Sequence, residues 1–104
     1  MNPQLDDTLR EAAQLLTGAR NDAYGDPRDT YSRAAAMWSA MTGKAMTASE
    51  AVAFMVCVKL AREGKRHGRD NVVDLAAYAA ILQYIQEPVA LQSFRVSDSP
   101  PSPT

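Results

Sequence analysis

The sequence predicts an all-α fold, a four-helix, bundle-like single domain. Three observations lead to this prediction: apolar residues recur at helical spacing along most of the chain, glycines and prolines divide it into four segments, and a length of 104 residues fits one domain. Hydrophobic residues make up 46% of the chain and charged residues 22%, as in an ordinary globular protein. We expect a helical domain over 1–93 and a disordered tail over 94–104, where serine and proline dominate.

The first helix is predicted at about 3–17. Pro3 suits the first turn, and Asp6 suits the positive end of the helix dipole. Gly18 is a natural terminator. The apolar stripe has helical spacing and consists of Leu5, Leu9, Ala12, Ala13 and Leu16.

A polar stretch over 19–29 is predicted to be a loop, and the second helix follows at about 28–42. Asp26 or Asp29 can cap this helix, and Gly43 can end it. Trp38 lies among alanines and methionines, so we expect it in the core.

The third helix is predicted at about 48–63. Thr47 and Glu50 fit a capping box, and residues 51–58 are apolar on every side. A β-strand competes for this short, valine-rich run, but the capping box and the continuation to Gly64 favour a helix. We expect it to be the central helix, with Cys57 as a buried free thiol.

Four short helices can hardly cover a helix that is apolar around its circumference. The remainder would be an exposed patch of the kind that marks an interface, so we expect a homo-oligomer.

The fourth helix is predicted at about 71–86, after a basic turn over 64–69. Asp70 or Asn71 would cap it, and Pro88 would stop it.

Composition excludes several classes of function. A formal charge of −1 argues against a general electrostatic grip on DNA or RNA. One cysteine excludes a disulfide framework and a four-cysteine zinc site, and one histidine excludes a multi-histidine metal site. The acidic start lacks the apolar core of a signal peptide, and no apolar stretch reaches the roughly 20 residues of a membrane span. We therefore expect a protein of a reducing cytoplasm.

A cationic cluster closes the third helix. Lys59 and Arg62 share a helix face, and Lys59 follows the apolar run so closely that it needs an anionic partner. The alternative is that Lys59 extends to solvent and Arg62 pairs with a carboxylate. The basic turn that contains His67 is more simply read as solvated, because cations belong at a helix C-terminus.

An acidic cluster opens the fourth helix. Asp70 is explained by capping, but Asp74 lies between Val73 and Leu75, and a buried carboxylate must be paired. Its simplest partner is Lys59 or Arg62 across a helix interface. Asp70 and Asp74 could also hold Mg²⁺ through oxygen ligands.

The loop before the second helix carries a third set of residues. Arg20 can bind a phosphate, Tyr24 can stack on a base, and Gly25 permits a turn with positive φ. A structural loop that caps the bundle explains them equally well. The complete predicted ligand-binding set is Arg20, Tyr24, Lys59, Arg62, His67, Asp70 and Asp74.

Three segments together resemble a family of short, functionally uncharacterised phage and prophage proteins. They are residues 20–27, which contain an R-x-x-x-Y-G-D pattern, residues 36–40 around Trp38, and K-x-A-R at 59–62 followed by His67, Asp70, Asp74 and Tyr78. The resemblance covers about 17–82. It implies a phage gene product at work in a bacterial cytoplasm, and no particular activity.

The helix order and Asp74 are also similar to the all-α NTP pyrophosphohydrolases of the MazG type, which hold Mg²⁺ with acidic motifs. The chain departs from them, since the helix-three positions of those glutamates hold Val, Met, Cys, Lys59 and Arg62. Glu50 and Glu63 are about 20 Å apart along one helix, too far to share a metal. A site with cations in place of carboxylates should bind a phosphate directly and hydrolyse it poorly.

Three functions follow as hypotheses. The first is a module, without cofactor or metal, that binds a nucleotide-like phosphate ligand and sequesters a host defence signal. The second is a MazG-like hydrolase in which Asp70 and Asp74 hold Mg²⁺. The third is a helical inhibitor of a host protein, in which the charged residues are only an ion-pair network.

Overall fold

A computed structural model describes residues 2–17 and 23–87. In these residues the fold is all-α, as predicted, with four helices of 13 to 18 residues. They are α1 (Pro3–Leu15), α2 (Pro27–Thr42), α3 (Ala48–Lys65) and α4 (Arg69–Gln86). The predicted tail and the terminator Gly18 lie outside the described residues.

Helices α1 and α2 each begin at a side chain that accepts from a free backbone N–H. The Asn2 side chain accepts from the Gln4 N–H at 2.8 Å, and Asp26 accepts from the Arg28 N–H at 2.8 Å. Of the two predicted caps of α2, the structure therefore selects Asp26. Gly43 ends α2 in the left-handed region at φ 74°, as predicted. Helix α1 ends at Leu15, two residues earlier than predicted.

The loop predicted before α2 is only partly described. Ala23 and Tyr24 have helical backbone, which corrects the prediction of a continuous loop over 19–29. Gly25 follows with φ 78° and turns the chain into the cap of α2, so the predicted use of this glycine is confirmed.

Helix α3 opens with the predicted capping box. The Glu50 N–H donates to Thr47 Oγ1 at 3.1 Å, and the Thr47 N–H donates to Glu50 Oε1 at 2.8 Å. The competing β-strand is thereby excluded. The helix continues through Gly64 to Lys65, two residues beyond the prediction, with Arg62 and Lys65 at its negative end.

The start of α4 differs from the prediction. Its N-cap is Gly68, which has no side chain, and the helix begins at Arg69 instead of about 71. Asn71 cannot serve as the cap because it lies inside the helix, where its side-chain amide donates to Glu63 Oε1 at 3.2 Å. The predicted capping role of Asp70 or Asn71 is therefore wrong.

Helix α4, and not α3, is central in the fold. It packs against α1, α2 and α3, whereas α3 packs mainly against α2 and α4. The core is small, and Val52 and Val73 are the largest side chains that are completely buried. Among residues 2–17 and 23–87, the buried residues are Ala12, Ala35, Ala51, Val52, Val73 and Ala77. Alanine at four of these six positions lets the helices approach closely.

Several large apolar side chains remain exposed, which corrects two predictions. Trp38 is 44% exposed and Cys57 is exposed, although the helices that carry them each pack against two others. Phe54 at 62% and Met41 at 80% exposure extend the apolar surface. Self-association stays a prediction, and sedimentation velocity at two protein concentrations would test it.

None of the helices in residues 2–17 and 23–87 combines the length and apolarity that a bilayer crossing requires.

Candidate functional site

A hollow of about 240 Å³ lies where the end of α1, the start of α2 and the middle of α4 meet. We call it the tyrosine hollow, since three tyrosines contribute to its wall. Its lining residues are Leu15, Leu16, Tyr24, Gly25, Pro27, Thr30, Tyr31, Asp74, Ala77, Tyr78 and Ile81. Among these described residues Asp74 is the one that carries a charge, and most of the others are apolar or aromatic.

The sequence explains how α4 supplies its part of the wall. Asp74, Tyr78 and Ile81 are spaced i, i+4 and i+7, so they lie on one face of the helix. Their face points between α1 and α2, which are both packed against α4.

A second hollow of about 460 Å³ adjoins the first. The two share Leu16, Gly25, Pro27 and Ile81 in their walls, and the second extends to Asp26 and Tyr84. Together they reach the size range of about 300–1,000 Å³ that is typical of small-molecule sites.

The carboxylate of Asp74, which lines the tyrosine hollow, forms an ion pair with a lysine of another helix. The Lys59 ammonium on α3 lies 2.7 Å from Asp74 Oδ2. The Lys59 side chain is 13% exposed and that of Asp74 is 29% exposed, so both groups are largely withdrawn from water. The predicted pairing across a helix interface is confirmed, and Lys59 is the partner.

The second carboxylate oxygen of Asp74 has no partner within the described part of the chain. No residue in the described part of the chain donates a hydrogen bond to Oδ1. Since Asp74 also lines the hollow, this oxygen is an acceptor that a bound ligand or water could use.

A different polar cluster joins the start of α2 to the end of α4, and we call it the clasp. The Tyr84 hydroxyl donates to Asp26 Oδ2 at 2.8 Å. Arg28 Nη2 donates to the Tyr84 carbonyl at 2.8 Å, and the guanidinium also reaches the carbonyls of Ile85 and Glu87 at 3.3 Å. These carbonyls are the acceptors that a helix C-terminus leaves without an intrahelical partner. Arg28 therefore caps α4 from α2.

The clasp changes the titration of its tyrosine. Donation to the Asp26 carboxylate, with burial and the negative charge of Asp26 as smaller causes, raises the pKa of Tyr84 above its ordinary value of 10.0. The Arg28 guanidinium, 4.8 Å from the centre of the Tyr84 ring, acts in the opposite direction.

Glu63 organises the turn between α3 and α4. Its carboxylate is hydrogen-bonded to His67 Nδ1 and accepts from the Gly68 N–H at 3.0 Å and from Asn71 Nδ2 at 3.2 Å. The bonds from His67 and Gly68 are the largest causes that lower the pKa of Glu63 to about 2. The role of this residue in the turn is therefore structural.

The predicted ligand-binding residues are only partly brought together. Tyr24 and Asp74 line the tyrosine hollow, and Lys59 holds Asp74 from behind. His67 is exposed and paired with Glu63, while Arg62 and Asp70 are exposed and line neither hollow. Arg20 lies outside the described residues.

The metal-binding alternative depended on neighbouring acidic side chains. Across residues 2–17 and 23–87, no three His, Cys, Asp or Glu side chains cluster as metal ligands would. Glu50 and Glu63 are engaged in the capping box and in the turn, respectively.

Sequence reasoning missed Tyr31 and Tyr78 of the hollow, and Arg28 of the clasp. Tyr78 could have been found, since it lies one turn after Asp74 on the same helix face. Tyr31 lies one turn after Pro27 at the start of α2, but nothing in the sequence says which element that turn meets. The partners of Arg28 are 56 to 59 residues away in the chain, beyond the reach of any local pattern.

The comparisons with known proteins agree with the predicted phage resemblance. A family model described as a domain of unknown function, DUF6378, matches residues 7–86. The Gene 55 protein of Mycobacterium phage D29 is 35% identical over 83 residues, which are 78% of this chain and 55% of the relative. The Gene 55 protein of Mycobacterium phage L5 is also 35% identical over 83 residues, or 77% of this chain and 53% of that relative.

This chain thus spans about half the length of the curated relatives that it matches. No solved structure matches it significantly. The family match covers the four helices almost completely, including both hollows and the clasp. On the extent of that match, the chain belongs to the DUF6378 family, whose curated relatives are phage proteins.

Proposed function

We propose that this phage protein binds a small planar ligand of the nucleobase type in the tyrosine hollow. The observation that carries the proposal is the wall itself, to which Tyr24, Tyr31 and Tyr78 contribute together with one carboxylate that is paired with a lysine outside the wall. Aromatic side chains offer stacking surfaces to a flat ring, and a few fixed polar groups orient a ligand in an apolar pocket.

Lys59 acts in this proposal as a positioning residue. Its ammonium is occupied by Asp74 and mostly buried, so it does not reach toward a phosphate. It fixes the Asp74 carboxylate and offsets its charge in a partly dehydrated site. The residues that line the hollow therefore offer more contacts to the ring of a nucleotide-like ligand than to its phosphate.

The phage relatives suggest what such binding would achieve. A protein that removes a nucleotide from solution lowers the amount available to host enzymes, in proportion to its concentration and affinity. Sequestration of a host nucleotide signal is the role that we propose for the binding.

The experiment is the release and identification of bound small molecules from the protein purified from bacterial cells. Thr30→Trp, at an exposed position in the wall of the hollow, should fill the space without disturbing the core. Ser32→Trp, exposed on the same helix and absent from the wall, is the matched control. We expect an intact nucleotide or nucleoside in the wild type and in Ser32→Trp, but not in Thr30→Trp.

Three results would contradict the proposal. A ligand retained by Thr30→Trp would lie elsewhere on the protein. Mg²⁺-dependent release of pyrophosphate from deoxynucleoside triphosphates would instead support the hydrolase hypothesis. A co-purifying host protein, with no small molecule, would support the helical inhibitor.

A further inference from the structure

We infer that the tyrosine hollow selects guanine among the nucleobases, and that Asp74 is the residue that selects it. This inference rests on the proposed function and names its ligand class more closely. It depends on three features of Asp74: its position in the wall, its pairing with Lys59, and its open oxygen.

The first step concerns what Asp74 can bind. An ionised carboxylate only accepts hydrogen bonds, and its two oxygens together offer about four lone-pair positions. Lys59 uses one position on Oδ2, and Oδ1 has no donor among residues 2–17 and 23–87. Two acceptors therefore remain side by side for a ligand in the hollow.

The second step concerns which base offers two donors side by side. Guanine presents the N1–H and the N2 amino group next to each other on its Watson–Crick edge. Adenine and cytosine each present one amino group beside a ring nitrogen that is itself an acceptor, which would face the carboxylate with lone pairs. Uracil and thymine present one N–H between two carbonyl oxygens. Only guanine can form two parallel hydrogen bonds to the carboxylate.

The third step concerns the cost of a wrong base. Asp74 is mostly withdrawn from water and its helix is held by the surrounding packing, so it cannot turn away without breaking the contact to Lys59. A base that places an acceptor against it leaves both groups without a partner, and sites built on such hydrogen bonds reject the wrong ligand strongly. The same geometry predicts weak binding of xanthine, which has a carbonyl where guanine has its 2-amino group.

The test is calorimetric titration of the full chain with GMP, AMP, CMP, UMP, IMP and XMP. We expect GMP to bind at least about tenfold more tightly than AMP, CMP, UMP or XMP. IMP, which retains N1–H but lacks the amino group, should lie between GMP and the others.

Asp74→Asn provides the sharper measurement. An asparagine amide donates one hydrogen bond and accepts another, so it pairs with an N–H beside a carbonyl, which guanine, hypoxanthine, xanthine and uracil all present. We expect this variant to lose the preference for GMP over IMP, XMP and UMP, with a fall of about tenfold in the GMP-to-XMP affinity ratio. Asp70→Asn, the same change one helical turn away at an exposed residue outside both hollows, should retain the wild-type order.

The outcomes separate the two proposals. If none of the six nucleotides binds the wild type, both the proposed function and this inference are wrong. Binding of AMP or CMP as tightly as GMP would leave the proposed function standing and overturn the selection of guanine, whether or not Asp74→Asn folds. A guanine-containing tetranucleotide, titrated in parallel, distinguishes a free nucleotide from a single strand as the source of the base.

Discussion

The clasp and the Lys59–Asp74 pair are both polar connections to α4, but they differ in what they leave open. In the clasp, the Asp26 carboxylate caps α2 with one oxygen and accepts from Tyr84 with the other, while Arg28 occupies the last carbonyls of α4. In the ion pair, Lys59 occupies one oxygen of Asp74, the other oxygen has no donor among residues 2–17 and 23–87, and Asp74 lines a hollow. A cluster whose hydrogen-bonding groups are paired within the protein stabilises the fold, and one with an open acceptor is suited to a ligand.

Removing the lysine should have the largest effect. Lys59→Met retains the length of the side chain but leaves the mostly buried Asp74 without its counter-charge, so we expect the free energy of unfolding to fall by about 1–3 kcal/mol. Urea denaturation measures this change. Lys44→Met, at an exposed lysine before α3, is the control. Equal stability of the two variants would mean that the ion pair does not hold α3 against α4.

Weakening the clasp should cost less. Arg28→Lys keeps the charge but loses the planar fork that reaches several carbonyls at once, and we expect a loss of about 1–2 kcal/mol. Amide hydrogen exchange should become faster in the last turn of α4, with Arg33→Lys on the exposed side of α2 as the control. Nucleotide affinity should not change, and a loss of affinity without faster exchange would contradict the separation of the two regions.

Removing one hydroxyl tests the clasp more finely. Tyr84→Phe keeps the ring near Arg28 but deletes the bond to Asp26, for an expected loss of about 0.5–1.5 kcal/mol at neutral pH. Because the folded state raises the pKa of Tyr84, its contribution is complete below about pH 10 and is lost as the pH rises through the raised value. As the pH rises above about 10, the free energy of unfolding should therefore fall less in the variant than in the wild type. An equal fall in the two proteins would contradict this.

The turn between α3 and α4 should have the smallest effect, since it is more exposed than either region. Folding lowers the pKa of Glu63 from 4.5 to about 2, so its contribution is present above pH 4.5 and is lost as the pH falls toward 2. Glu63→Gln should flatten the dependence of the urea midpoint on pH in that window. An unchanged profile in Glu63→Gln would mean that Glu63 does not stabilise the turn.

Local chemistry made the helices predictable. The capping box at Thr47, the cap at Asp26 and the left-handed Gly43 each depend on atoms within a few residues of one another. The same reasoning failed at the start of α4, where Asp70 or Asn71 was the predicted cap. Asn71 instead donates to Glu63 of the preceding helix, and the cap position is held by a glycine. The predicted pairing of Asp74 succeeded because a buried charge admits few partners.

Exposure was less predictable than helix position. Apolar periodicity indicates that Trp38 and Cys57 lie on helices with apolar neighbours, but it cannot say whether another helix covers them. In the structure neither is covered, and α4 occupies the centre that the all-apolar α3 was expected to take. The hollow escaped prediction for the same reason, because its wall combines side chains from three parts of the chain.

The sequence by itself determined that the chain is helical, where most of its helices begin and end, and that Asp74 must find a cation. These properties depend on neighbours in the chain or on the solvation of one group, both of which can be read from residue order. Only the tertiary structure decided that Lys59 is that cation, that one oxygen of Asp74 has no donor among the described residues, and that three tyrosines line the same hollow as Asp74. Such contacts join residues far apart in the chain, and helix packing alone brings them together.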